Sequence, residues 1–409
     1  MTNIATTLLA QLDNTSLRQL RGIAAVAEIH GAQTYLVGGA VRDALLGLPV
    51  ADIDITVVGM TSGLPRGVAR ALNGRVVAHS QFNTFAINAA GRHIDLAMAR
   101  HESYTQPGAL PTVVPGTIQQ DLARRDFTIN AMAVSISTGS FGDLLDPFQG
   151  QADLEAGKVR VLHDESFRDD ATRILRAARY AVRLGIELEA HTEQILRRDA
   201  SYLDTISPSR LRDEYMRVLR EGRAVSTIEM LHTLGALRPV HPALTLSGEM
   251  LAALRRAEQT THADTHLIYL CLLSHSLSQS ERQSLIIRLA LSSDQAEAIN
   301  DTGFVADRIP ELEQELSRSE IYLCLREFSE ASILACALIS NDSAASQSMM
   351  LLLDELRHIR TTLNGNDLVA LGVPQGPRVG VLLHELLVAR IDNEVKTRQD
   401  EIDFIQARL

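Results

Sequence analysis

One break in periodicity constrains this chain more than any other feature. From about residue 165 onward apolar residues recur only at helical spacing, whereas the first ~150 residues alternate short β-type runs with helical ones. Thr34–Val37 reads as a strand ended by Gly38-Gly39, and Ala40–Leu46 as a short helix stopped by Gly47. Ile53–Val58 is β-branched and apolar, Gly74–Ala78 and Thr84–Ala89 read as a strand pair, and His93–Met98 as a further strand. Thr105–Gly116, rich in proline and glycine, reads as a loop. Thr128–Ser137 and Ser140–Leu145 resume β and helical patterning up to a boundary at Asp146-Pro147. Helices are then expected over Asp170–Leu184, capped by Gly185, and over Ala190–Arg198, Pro208–Arg220, Val225–Leu234, Thr265–Leu277, Ser280–Leu289, Ile321–Ser329, Ala345–Ile359 and Arg378–Ile391. The expected class is α+β: a small mixed head followed by an all-helical remainder.

Length and composition narrow the field. A chain of 409 residues exceeds one compact core, and 45% apolar with 22% charged residues excludes disorder. Apolar runs such as Ile333–Ile339 fall far short of the ~20 residues a membrane span needs. No basic stretch precedes an apolar core near the N-terminus, so no secretory signal is expected. Cys271, Cys324 and Cys336 lack metal-ligand spacing and read as buried thiols of a cytoplasmic protein. A net charge of −11 argues against coating nucleic acid indiscriminately. Yet Lys158 and Lys396 are the only lysines, so the basic side is almost wholly arginine, whose planar fork suits phosphates and base edges. Arginine-biased codon usage would give the same composition, so placement has to decide.

Asp52-Ile53-Asp54 is the sharpest motif. Two residues apart in a strand, both carboxylates share a face, repel one another and offer hard oxygens to Mg²⁺. Ten residues upstream, Tyr35–Asp43 runs from strand through Gly38-Gly39 into a helix start with Arg42. Glycines there let the backbone approach a phosphate, and Arg42 could add a forked contact. Asp95 could supply a third carboxylate if its strand neighbours the one bearing Asp52. Arg124-Arg125-Asp126, continuing to Asn130, could bind a triphosphate and a ribose hydroxyl, or be a surface ion pair. Asp170, Arg173, Arg176 and Arg179 follow i, i+3 steps, a solvated stripe or a set of donors and acceptors able to read a base edge.

In this order the motifs resemble those of the class II tRNA nucleotidyltransferases, the bacterial CCA-adding enzymes and their poly(A) polymerase relatives. The resemblance extends through Asp146–Gly150 with Asp153-Leu154 and through Asp169–Tyr180. It also covers Gly365–Leu368, Gly376–Gly380 and Ala389–Glu401. It implies a polymerase-β-like head at 1–155, a base-recognising helical neck at 156–240, a body at 241–320 and a tRNA-binding tail at 321–409. It also implies Asp52 and Asp54 as Mg²⁺ ligands; Asp95, read from its place in a strand and not from the resemblance, is the further candidate catalytic carboxylate. Gly38, Gly39, Arg42 and Arg125 would contact the triphosphate, and Asp126, within the motif that ends at Asn130, would sense the ribose. Asp170 and Arg173 would template ATP or CTP, supported by Arg176 and Arg179.

The implied reaction is CCA addition to the tRNA 3′ end by a two-metal in-line mechanism, the enzyme gripping the 3′ end and acceptor arm. The chain departs from the family pattern at Asp169, often Glu, and at Ala171, often Pro. It departs further at Tyr104–Gly108, which lacks the acidic and basic residues many CCA-adding members carry before the proline. That loop is associated with switching from C to A addition, so CC-only or A-only addition stays open. So do poly(A) synthesis on the same scaffold and, more distantly, a non-catalytic helical RNA-binding protein.

Overall fold

The computed structural model describes residues 2–50, 52–79, 84–103, 112–260 and 264–409. The Tyr104–Gly108 departure lies outside them. The chain divides into two compact units: Met1–Glu214 with Thr233–Pro239, and Tyr215–His232 with Val240–Leu409.

The first unit is built on a sheet. Its strands are β1 (Gln33–Val37), β2 (Ile53–Val58), β3 (Arg75–His79), β4 (Thr84–Ala89), β5 (Arg92–Met98), β8 (Ala133–Ser135) and β9 (Leu144–Leu145). Between them in sequence lie β6 (Arg100–Ser103) and β7 (Thr112–Pro115), which pair as a separate antiparallel hairpin. The seven sheet strands lie in the order β3-β4-β5-β2-β1-β8-β9. β1 runs antiparallel to β2 and to β8, while β2 and β5 run parallel with Asp54 opposite Asp95.

Alternation along β2 explains its orientation. Ile53, Ile55 and Val57 are buried in one core with Leu20, Ile23 and Ala27 of helix Asn14–Ile29 and Leu64 and Val68 of helix Leu64–Ala71. Each of the isoleucine, leucine and valine side chains contributes ~1.5–3 kcal/mol by leaving water. The intervening positions, Asp54 and Thr56, are thereby turned to the opposite face, where Thr56 approaches the buried carboxylate of Asp121. That core forces the Asp54 side of the strand toward polar company.

The Asp146–Gly150 motif does structural work. The carboxylate of Asp146 accepts from the backbone N–H of Gly150 (2.7 Å) and Gln151 (2.9 Å), starting the helix Gly150–Glu155. Gly150 packs so closely that a Cβ would lie 2.2 Å from the Thr128 carbonyl oxygen. Asp153 accepts from Thr128 Oγ1 (2.7 Å) and Arg160 Nε (3.0 Å), which fixes the Thr128–Asn130 turn.

Three readings are corrected. The loop expected over Thr105–Gly116 contains β7, because Thr112–Val114 is β-prone despite the flanking proline and glycine. The remainder expected to be all-helical includes a short parallel pair, Lys158–Val159 with Glu187–Leu188. Asp170 lies ahead of its helix, which begins at Thr172, so the four-residue stripe is helical only from Arg173 onward. Gly185 does end that helix, in the left-handed conformation.

Among its described residues the second unit contains helices and connecting turns but no strand. Helices Thr265–Ser274 and Glu330–Ser340 are buried on nearly every side, Cys271 and Cys336 included. Toward the C-terminus Leu363, Leu368, Leu382, Leu386 and Ile405 form a further apolar core. No helix among the described residues is long and apolar enough to cross a membrane.

Candidate active site

A cavity of about 440 Å³ opens in the first unit. Gly38 and Gly39 line it, as do Arg100, Arg124, Arg125, Arg173, Arg176 and Arg210, set against Asp54, Glu102, Asp126 and Asp170. Gly38, at φ +67°, turns the chain from β1 into the helix Gly39–Leu45. A Cβ there would sit 2.7 Å from Arg125 Nη1, so only glycine lets that guanidinium press against the turn.

Arg124 and Arg125 are aimed from behind. Asp121, fully buried in helix Ile118–Ala123, accepts from Arg124 Nη2 (2.7 Å) and Arg125 Nη2 (3.2 Å). Burial alone would raise its pKa, but the guanidiniums of Arg125 and Arg124 outweigh it and hold the carboxyl below the ordinary aspartate value. Arg124 also reaches Glu102 (3.3 Å), bringing the β6 hairpin to the cavity wall.

Asp126 is 7% exposed, and four donors already converge on it. Oδ1 accepts from Phe127 N (2.8 Å) and Asn130 Nδ2 (3.0 Å), and Oδ2 from Arg176 Nε (2.9 Å) and Nη2 (2.6 Å). Burial opposes ionisation, yet Arg176 with these hydrogen bonds keeps the group below the usual range, and Arg176 is correspondingly raised. Arg173 donates to Ser166 Oγ (2.7 Å) and to the Arg124 carbonyl (2.6 Å), tying its helix to the Arg124–Asp126 segment. Asp170 accepts from Thr172 N (3.0 Å) and Oγ1 (2.6 Å) and pairs with Arg210 (2.8 Å).

Of the residues singled out from sequence, the structure brings Gly38, Gly39, Asp54, Arg125, Asp126, Asn130, Asp170, Arg173 and Arg176 to this one cavity. Arg42 stands behind its wall, 2% exposed, bonded to Asp43 (2.8 Å) and Asn130 (2.6 Å). Arg179 pairs with Glu214 (3.4 Å) and is likewise buried. Asp52 is exposed just ahead of β2, and Asp95 faces Asp54 across the strands with its carboxylate 3.1 Å from His93 Nε2. The β2–β5 adjacency on which Asp95 depended is present.

Sequence reading gave no role to Tyr180 or Arg210. Tyr180 lines the cavity and carries the guanidiniums of Arg42, Arg176 and Arg179 within 5.2–5.5 Å of its ring. Arg210 lies 40 positions from Asp170, in the helix Pro208–Leu219, and no local pattern announces such a pair.

The acidic corner suits a divalent cation. Burial, then the charge of Asp95, lifts the Asp54 carboxyl above the ordinary aspartate value despite Arg125, and Asp52 adds to the effect. Among the described residues no three His, Cys, Asp or Glu side chains form a closed ligand cluster. One or two carboxylates with open positions for substrate oxygens are what Mg²⁺ prefers over a complete protein cage.

Comparison with known proteins extends these findings. Residues 34–160 match the poly A polymerase head domain, and residues 185–246 the probable RNA and SrmB-binding site of polymerase A. An A-adding tRNA nucleotidyltransferase of Geobacter sulfurreducens is 34% identical over 96% of this chain, which spans 47% of that protein's length. The A-adding enzyme of Halalkalibacterium halodurans is 30% identical across 96% of this chain and 92% of its own. The CC-adding enzyme of Deinococcus radiodurans is 34% identical across 91% and 89%. A solved apo CCA-adding enzyme superposes over all of this chain and 99% of its own, with a TM-score of 0.84 at 28% identity. The Thermotoga maritima CCA-adding enzyme complexed with tRNA does so at 0.81 and 27%, over 100% and 98%. Likeness of this extent runs through head and helices alike, and the chain belongs to the class II tRNA nucleotidyltransferases.

Proposed function

We propose that this chain adds CMP and AMP to the tRNA 3′ end from CTP and ATP, without a nucleic-acid template. The observation that carries this reading is the cavity itself, whose lining sets arginines anchored by the buried carboxylates of Asp121 and Asp126 together with Asp54 and Asp170. Arg124 and Arg125 grip the triphosphate, and the turn at Gly38-Gly39 lets its phosphates come close to the backbone. Two Mg²⁺ ions, held by Asp52 and Asp54 when bound, would supply charge neutralisation at the reacting phosphate. The 3′-hydroxyl of the tRNA attacks the α-phosphate in line and pyrophosphate leaves, so the protein's part is positioning and electrostatics. Asp126, already saturated by Arg176 and Asn130, accepts a ribose hydroxyl only by giving up one of those donors. The four-part division at 155, 240 and 320 is proposed with the reaction, as is a cytoplasmic location.

Base choice falls to Asp170 and Arg173. Since the carboxylate of Asp170 is shared between Thr172 and Arg210, Asp170→Ala should blur ATP/CTP discrimination more than it weakens triphosphate binding. Competition between the two nucleotides measures this, and unchanged selectivity removes Asp170 from base reading.

A narrower reading is favoured by two of the relatives above, both A-adding, one matched over nearly its full length. Incubating tRNAs ending before C, after C and after CC with CTP, ATP or both, then sequencing products, separates the possibilities. Full CCA addition is expected; AMP on the CC-ended substrate alone would mark an A-adding enzyme, and a long adenosine tail a poly(A) polymerase.

A further inference from the structure

A second cavity, also about 440 Å³, lies in the helical second unit. Arg282, from helix Gln279–Arg288, lines it together with Gln283, Asn300 and Phe304, the last two from helix Ser293–Ala306. Three observations there bear on what the cavity could hold.

Arg282 is 8% exposed, its Nε has no hydrogen-bond partner, and among the described residues its one acceptor is the neutral carbonyl of Leu277. A buried cation without a carboxylate is costly, and an arriving anion would offset that cost. Room for the guanidinium exists because position 303 is glycine: a Cβ there would sit 2.0 Å from Arg282 Cζ. Finally, Phe304 is 49% exposed on one side while it stacks on Phe328 on another, ring centroids 6.5 Å apart and 25° from parallel. Arg308 also lies over the Phe328 ring, 5.4 Å from its centroid. A half-exposed aromatic side chain at the mouth of a cavity is the kind of platform onto which a further flat ring stacks.

We infer that this cavity holds one nucleotide unit, its base stacked on Phe304 and its phosphate drawn to Arg282, with the side-chain amides of Gln283 and Asn300 available to the sugar or base. An RNA strand or a free nucleotide could supply that unit. The RNA source rests on the tRNA reading above; the site itself does not.

The chain contains no tryptophan, so Phe304→Trp introduces a single tryptophan at the platform, which can be excited apart from the tyrosines. Three titrations of this variant are run: a tRNA transcript lacking its CCA end, AMP alone, and the transcript on a variant also carrying Arg282→Gln. Anisotropy of labelled transcript reports RNA binding independently. Saturable quenching by the transcript, weakened by Arg282→Gln, supports the site with RNA as its source. Saturable quenching by AMP supports it with a free nucleotide as source, even if the chain fails to bind or extend tRNA. Absence of quenching by both overturns the site; if anisotropy then still shows tRNA bound, the proposed reaction stands without it. Should Arg282→Gln not fold, Phe304→Ala serves: transcript affinity should fall roughly tenfold, and unchanged affinity together with no AMP quenching overturns the proposal.

Discussion

Asp54→Asn should lower nucleotide incorporation by at least about a thousandfold while tRNA binding survives and thermal stability rises. The pairing of loss and gain follows from the charge the residue carries. Burial and the neighbouring Asp95 raise the folded-state pKa of Asp54 above its unfolded value. Folded protein therefore holds its proton more tightly than unfolded protein, so stability falls as pH rises from the unfolded value through the folded one. At pH 7 that penalty is fully present, and asparagine, which cannot ionise, removes it. The melting difference should shrink as pH is brought below the ordinary aspartate range, and added Mg²⁺ should raise the melting temperature of the parent protein but not of the variant. Full activity in Asp54→Asn would sink the metal assignment; a lower melting temperature at pH 7 would contradict the electrostatic account.

Glu401→Ala should destabilise the C-terminal part of the second unit by about 3–5 kcal/mol, with little effect on nucleotide binding in the head. Glu401 is fully buried and accepts from Thr362 N (3.0 Å), Thr362 Oγ1 (2.6 Å), Leu363 N (2.8 Å) and Arg390 Nη1 (2.7 Å). Alanine leaves every one of those donors without its acceptor. Burial pushes the carboxyl up, but the Thr362 hydroxyl, the two backbone N–H groups and Arg390 outweigh it and hold it below the ordinary glutamate value. The stabilisation is thus complete above the unfolded pKa and is lost as pH falls through the folded one. Hydrogen exchange over residues 362–405 would register the loss, and unchanged protection in the variant would refute it.

How far the sequence disclosed all this depends on how local each signal was. The Gly38-Gly39 turn, β2 and the cap at Gly185 are written in adjacent residues and are found where expected. Helix Glu330–Ser340 shows no amphipathic stripe because it is buried nearly all round, so its periodicity carries little information. The β6–β7 hairpin was hidden by proline and glycine that mark its ends rather than forbid its strands. Asp95 could be named only conditionally, since pairing of β2 with β5 is a tertiary event. Asp121 escaped notice altogether: an aspartate inside an ordinary helix reads as solvated surface, and only the fold reveals it as the buried anchor of two arginines.

That anchor has a kinetic meaning. If they grip the triphosphate as proposed, Arg124 and Arg125 differ from loose arginines, which would surrender side-chain freedom at each arrival of a nucleotide: held by Asp121, they surrender it once, when the chain folds. Successive captures of triphosphate would then start from the same prepared grip, indifferent to which base is attached. On the proposed assignment of base choice, discrimination from one round to the next would fall instead to Asp170, which divides its carboxylate between Thr172 and Arg210.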